Sequence, residues 1–109
     1  MASATLLTTF FALTLLIQHS YEKTWCVANP SAGEAALRAN LEFACSESDC
    51  SAIQGDAGGC SFSGDLLPRV SVAMNAYYQA RGRNSWNCFF NGTGLITITD
   101  PSSGSCNYA

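Results

Sequence analysis

Apolar positions follow three rhythms along this chain, and each predicts a different element. The first is an unbroken run near the start. Leu6 to Ile17 is almost wholly apolar, and residues 1–20 hold no charged side chain beyond a possible charge on His19. A spanning helix needs roughly 20 apolar residues, so this run is too short to anchor the chain. It has the length of the apolar core of a secretory signal peptide, and the small Ser20 suits the cut, although Gln18 does not. The expectation is a signal peptide over 1–20 and a single domain over 21–109.

The second rhythm is helical. Val70, Ala73, Met74, Tyr77 and Tyr78 repeat at i, i+3, i+4, i+7 and i+8. Asp65 is a candidate N-cap, Pro68 sits in the permissive first turn, and Gly82 stands where a left-handed stop is wanted. A helix over 66–81 is predicted. A weaker repeat, Leu37, Leu41 and Ala44, predicts a helix over 32–44. Ser31 and Glu34 have the capping-box spacing before it, and Arg38 with Glu42 forms an i,i+4 pair on it.

The third rhythm belongs to strands. Leu95-Ile96-Thr97-Ile98-Thr99 is rich in β-branched residues, and Asn91-Gly92 separates it from Cys88-Phe89-Phe90. That arrangement predicts a hairpin. Between the helices, 45–50 reads as a polar loop, Ile53 inserts on a short helical turn, and 55–59 is glycine-rich turn chemistry.

Cysteine usage changes the picture from a marginal core to a stapled one. The chain has six cysteines, all after the leader. An even set in a short exported chain reads as a disulfide framework. Zinc sites want closer pairs such as C-x2-C, whereas Cys45 and Cys50 have four residues between them. The one histidine, His19, lies in the leader. No metal and no cofactor are expected, and sequence spacing alone leaves the pairing open.

The net charge is −3, with no basic stripe. That argues against nucleic acid or an anionic membrane as partner. The end at Tyr108-Ala109 carries no apolar tail for a lipid anchor, so a monomer without membrane anchor is expected. Catalysis is not expected either. A glycosidase needs two carboxyl groups held about 5.5 Å, or roughly 6.5 to 9.5 Å, apart across a cleft. Glu34 and Asp65 read as caps, Asp49 and Asp56 lie in loops, and Asp100 lies in a turn.

The aromatic residues carry the candidate chemistry. A sugar ring stacks its C–H face on an aromatic ring, while its hydroxyls need amide or charged partners. Tyr77 to Asn87 mixes both kinds of residue. Candidate ligand contacts are Tyr77, Tyr78, Arg83, Asn84, Trp86 and, just beyond, Phe90. Each has a plainer reading. Tyr77 lies on the helix stripe and reads first as core, Tyr78 lies at the edge of that stripe and reads equally as core or contact, Trp86 can pack on a disulfide, and an arginine at a helix end can simply be solvated. Asn91-Gly92-Thr93 is an N-glycosylation sequon at Asn91, and equally well hairpin chemistry.

Several motifs now agree in register. They are Trp25-Cys26-Val27-Ala28, Asp49-Cys50-Ser51-Ala52-Ile53-Gln54, Ala73 to Gln79, Gly82 to Cys88, and Thr97 to Ser102. Together the run from Trp25 to Tyr108 resembles carbohydrate-binding module family 43, the plant module of β-1,3-glucanases and small callose-binding proteins of plasmodesmata. The resemblance implies a small disulfide-stapled α+β domain with two main helices and a short antiparallel β-sheet. It implies the pairs Cys26–Cys88, Cys45–Cys50 and Cys60–Cys106. It also implies a non-catalytic role, binding linear β-1,3-glucan (callose) in the cell wall or apoplast. The chain departs from the family at Ser61 to Asp65, at Arg69-Val70-Ser71, and at Phe89, where an acidic residue is usual. The competing reading is a disulfide-rich defence or signalling protein that recognises another protein.

Overall fold

The structure is a computed structural model that describes residues 22–55, 58–60 and 64–109. The expected leader, residues 1–20, lies outside the described residues, as does the departure at Ser61 to Ser63. The elements run β1 (Trp25–Ala28), α1 (Glu34–Glu47), a 3-10 turn (Ser51–Ile53), α2 (Leu66–Ala80), 3-10 turns at Ser85–Cys88 and Phe90–Gly92, and β2 (Gly94–Thr97). This is the expected α+β architecture, with both main helices in place.

Helix α2 forms where its apolar repeat predicted. Asp65 occupies the N-cap position without a side-chain hydrogen bond to the helix. The C-terminus closes as a Schellman motif: Arg83 N–H donates to Tyr78 O (3.0 Å) and Gly82 N–H to Gln79 O (3.1 Å). Gly82 takes φ +88°, the left-handed value that glycine tolerates.

Helix α1 differs from expectation at both ends. Its N-cap is Gly33, and Ser31 does not cap it. Instead the Ser31 amide and hydroxyl both donate to Asn29 Oδ1, at 3.0 and 2.8 Å. The local turn at Asn29 wins the hydroxyl that the capping box needs. Arg38 pairs with Glu34 (2.8 Å), not with Glu42. Both side chains are exposed, so the pair adds little. The helix also runs on through Cys45 to Glu47, beyond the predicted end at residue 44.

The predicted hairpin does not form. Phe90–Gly92 is a 3-10 turn, and β2 pairs antiparallel with β1, far back in the sequence, in register Trp25↔Thr97 to Ala28↔Gly94. Covalent linkage explains the partner choice. Cys88 is bonded to Cys26 in the middle of β1, which delivers the following segment to that strand. Gly94 makes the approach possible, because a Cβ there would lie 1.8 Å from Cys88 O.

Disulfides join Cys26–Cys88, Cys45–Cys50 and Cys60–Cys106, the pairs that the resemblance implies. Two apolar clusters flank α2. One gathers Val70, Met74 and Tyr78 with Cys26, Ala28, Leu37 and Cys88. The other gathers Val72 and Ala73 with Ala44, Ile53 and the remaining two cystines. Every residue from Val70 to Asn75 is buried, so this middle stretch of α2 is enclosed on all sides.

Two of those buried residues are polar, and β1 explains them. Ala28 N–H donates to Ser71 Oγ (2.9 Å), and Cys26 N–H donates to Asn75 Oδ1 (3.1 Å). Gln79 Nε2 donates to Thr24 O (2.7 Å). Helix residues four apart thus meet strand residues two apart. The spacings match, about 6 Å along a helix and about 6.8 Å along a strand. Polar side chains of α2 therefore act as the second neighbour of β1. Asn75 also donates through Nδ2 to Ala109 O (3.1 Å), which ties down the chain end.

Replacing Asn75 by Ala orphans the buried Cys26 amide and is expected to lower the unfolding free energy by about 2–3 kcal/mol. Ser71→Ala should cost about 1 kcal/mol. Urea unfolding with the disulfides intact measures both. Equal, negligible losses would show that the stitch contributes nothing.

Candidate functional site

An aromatic cleft opens where α1, α2 and the two turns after α2 meet. Helix α1 supplies Phe43, α2 supplies Tyr77, the Ser85–Cys88 turn supplies Trp86 and Asn87, and the next turn supplies Phe90. The cavity holds about 180 Å³. Three rings meet edge to face, with centroid distances of 5.2 Å for Phe43–Tyr77, 5.8 Å for Tyr77–Phe90 and 6.3 Å for Phe43–Phe90. Each ring fixes the tilt of the next, as quadrupoles prefer. Trp86 is 71% exposed and offers a wide apolar face at the rim.

Polar groups border these rings. The Arg81 guanidinium lies 5.0 Å from the Tyr77 centroid and pairs with Glu47 at 2.9 Å. Asn87 Nδ2 lies 3.5 Å from the Tyr77 hydroxyl, the outer limit of a hydrogen bond. Its Oδ1 is buried and has no partner among the described residues. Flat aromatic area with an amide and a guanidinium beside it can take a ligand that has both apolar faces and hydroxyls.

The structure separates the six sequence-predicted contacts. Tyr77, Trp86 and Phe90 come together in the cleft. Tyr78 is 2% exposed, and its hydroxyl lies 2.7 Å from Thr24 Oγ1. Its ring is core and offers no face to a ligand. Adjacent residues on a helix point about 100° apart, so Tyr77 and Tyr78 cannot serve the same surface. Arg83 does not line the cleft; its Nη1 lies 3.5 Å from Gln79 Oε1. Asn84 is not in the cleft either and donates to Arg81 O (3.0 Å), sealing the end of α2. Phe43 and Asn87 were missed. Phe43 had one signal, an aromatic on α1 off the Leu37-Leu41-Ala44 stripe.

A larger groove of about 460 Å³ lies on another flank of α2, lined by Asp49, Ser51, Val72, Ala76, Gln79 and Asn107 among others. Among the described residues no aromatic ring borders it. Asp49 accepts the Ser51 amide (2.9 Å), and hydrogen bonds from Ser51 hold its carboxyl below the usual range. Asp100 is lowered in the same way by Ser102. A general acid needs the opposite shift. These two carboxylates shape loops.

At the sequon, Asn91 is exposed, with left-handed φ 54°. The described residues contain no group of acids, cysteines and histidines able to hold a metal ion. No helix among them is long and apolar enough to cross a membrane.

A stapled α+β domain with an open aromatic cleft has the form of a small recognition module. Residues 24–95 match the X8 domain, and the chain belongs to that family. It is similar to the major pollen allergen Ole e 10 of Olea europaea, with 44% identity over 79% of this chain and 71% of the relative. It is also similar to a glucan endo-1,3-beta-D-glucosidase of Olea europaea, 41% identical over 78% of this chain but only 18% of the relative. Plasmodesmata callose-binding protein 2 of Arabidopsis thaliana is 30% identical over 90% of this chain and 50% of its own length. The chain thus corresponds to one part of the longer relatives.

Trp86→Ala is expected to change the unfolding free energy by less than about 0.5 kcal/mol, as for other exposed sites. Tyr78→Ala should cost about 3–5 kcal/mol. Thermal and urea unfolding of the two variants check this contrast. Similar losses at both positions would move Trp86 into the core.

Proposed function

We propose that this chain is a non-catalytic module that binds linear β-1,3-glucan outside the plant cell, in the wall or apoplast. The leader read over residues 1–20 would deliver it there, and plasmodesmata are one place where such a ligand occurs. The observation that carries the reading is the cleft formed by Phe43, Tyr77, Trp86 and Phe90. Membership of the X8 family, with relatives named for β-1,3-glucan hydrolysis and for callose binding, supports it. The Olea europaea glucosidase matches this chain over only 18% of its length, which fits a module separate from its chemistry.

In this reading the sugar lays its C–H face on Trp86 and on the edges of the ring cluster. Asn87 and Arg81 meet hydroxyls at the border. The protein acts as a monomer, and no cofactor or metal takes part. A glycan at Asn91 would stand beside Phe90 at the rim.

A second reading, recognition of another protein, has one observation in its favour. One face of strand β2 and its continuation exposes Ile96 and Ile98, the last at 78%. Such a strip suits an apolar partner surface.

Retention on insoluble β-1,3-glucan, with cellulose as control, tests the first reading. Trp86→Ala and Phe43→Ala should each weaken retention by about 3- to 10-fold, the value of one aromatic contact. Ile98→Ser should leave it unchanged. Equal retention on both polysaccharides, or loss only with Ile98→Ser, overturns the assignment. Release of reducing sugar by the pure protein would make it an enzyme instead.

A further inference from the structure

Phe90 has φ +44°, followed by Asn91 at φ +54° and Gly92 at φ +84°. Asparagine and glycine visit this region readily, but a bulky aromatic residue rarely does. Such an outlier persists only where its surroundings over-determine it. Here the surroundings are specific. The Phe90 carbonyl accepts from Thr93 twice, from the hydroxyl at 2.6 Å and from the amide at 3.1 Å. The same hydroxyl accepts from Asn40 Nδ2 at 2.8 Å. The Thr93 carbonyl in turn accepts from Asn29 N–H at 2.8 Å, next to β1.

Asn40 stands on α1, three residues before Phe43. One helix therefore supplies both a ring of the cleft and the amide that fixes the opposite wall. A glycine at position 90 would meet the turn geometry without strain, but it would leave the cleft without its third ring. We propose that Asn40 and Thr93 are positioning residues for the carbohydrate site: their hydrogen-bond relay holds Phe90 left-handed so that its ring completes the cleft with Phe43 and Tyr77. This rests on the cleft being the glucan site. It also gives Thr93 a role independent of the sequon, because its hydroxyl already donates one hydrogen bond and accepts another.

The test compares Thr93→Val, Thr93→Ser and Asn40→Ala with the parent chain, all made without N-glycosylation so that loss of the sequon has no effect. Affinity for a soluble β-1,3-gluco-oligosaccharide is measured by calorimetry, and Phe90–Tyr77 ring proximity by NMR cross-peaks in the free protein. Thr93→Val and Asn40→Ala should weaken binding by about five- to tenfold and lose or shift those cross-peaks. Thr93→Ser, which keeps the hydroxyl, should stay within about twofold. Intact cross-peaks in both Thr93→Val and Asn40→Ala overturn the relay, whatever the affinity. Lost cross-peaks with parental affinity overturn the link from relay to binding. A parent chain that binds no glucan overturns the carbohydrate reading, while the cross-peaks still decide the relay. Should Thr93→Val fail to fold, Asn40→Ala decides alone, and intact cross-peaks in it overturn the relay.

Discussion

The structure depends on β1 having two different neighbours. On one edge it pairs with β2. Toward α2 it meets no strand, only the side chains of Ser71, Asn75 and Gln79. A two-stranded sheet is marginal in water, and an open edge in a buried place would leave amides without partners. The helix removes both problems at once. Its polar residues are buried because the strand needs them, and its apolar residues on the other flanks hold α1 and the cystine cluster. If α2 carried only apolar residues there, β1 could not lie against it.

The cystines fasten what this stitch arranges. Cys26–Cys88 spans a sequence separation of 62 and ties the stitched strand to the turn that carries the cleft. In the chain-entropy model a loop of that size restricts the unfolded chain by about 4 kcal/mol. That is comparable to the whole stability of a small domain. A cross-link of this weight lets the Cys88–Gly94 segment keep close backbone contacts and left-handed residues that a free loop would relax.

How much could be read from the chain follows from the range of each interaction. Both helices were legible, because apolar period, Pro68 and Gly82 are local. The Schellman end at Gly82 was legible for the same reason. The strand partner was not. Asn91-Gly92 is a hairpin signal only if the residues before it are extended, and the bond from Cys88 to Cys26 overrides that local preference. Asn75 and Ser71 looked like ordinary helix residues, since their partners lie 49 and 43 positions away. At the site, Trp86 was legible as an aromatic in a polar segment. Tyr77, on the apolar stripe, reads as the more core-like of the two and Tyr78, at its edge, as the more open; the structure reverses them, because the position of Thr24 encloses Tyr78. Phe43 was visible only as an aromatic off the core stripe, and its meeting with Tyr77 needs the crossing of two helices.

The division between Tyr77 and Tyr78 shows how the scaffold creates a binding face. Helix α2 is closely packed where it meets β1 and α1, so a ring there, such as that of Tyr78, is consumed by packing. Near its C-terminus, where α1 ends at Glu47 and the chain turns at Gly82, one flank stays uncovered. Tyr77 lies on that flank. Arg81, one turn later, reaches back over its ring and across to Glu47 on the neighbouring helix. Phe43 and Phe90 then lean on Tyr77 from two sides, and Trp86 remains outside them because no further element arrives to cover it. The cleft is therefore where the helices run out of packing partners, and each of its rings stands on an element held elsewhere by a cystine or by the stitch.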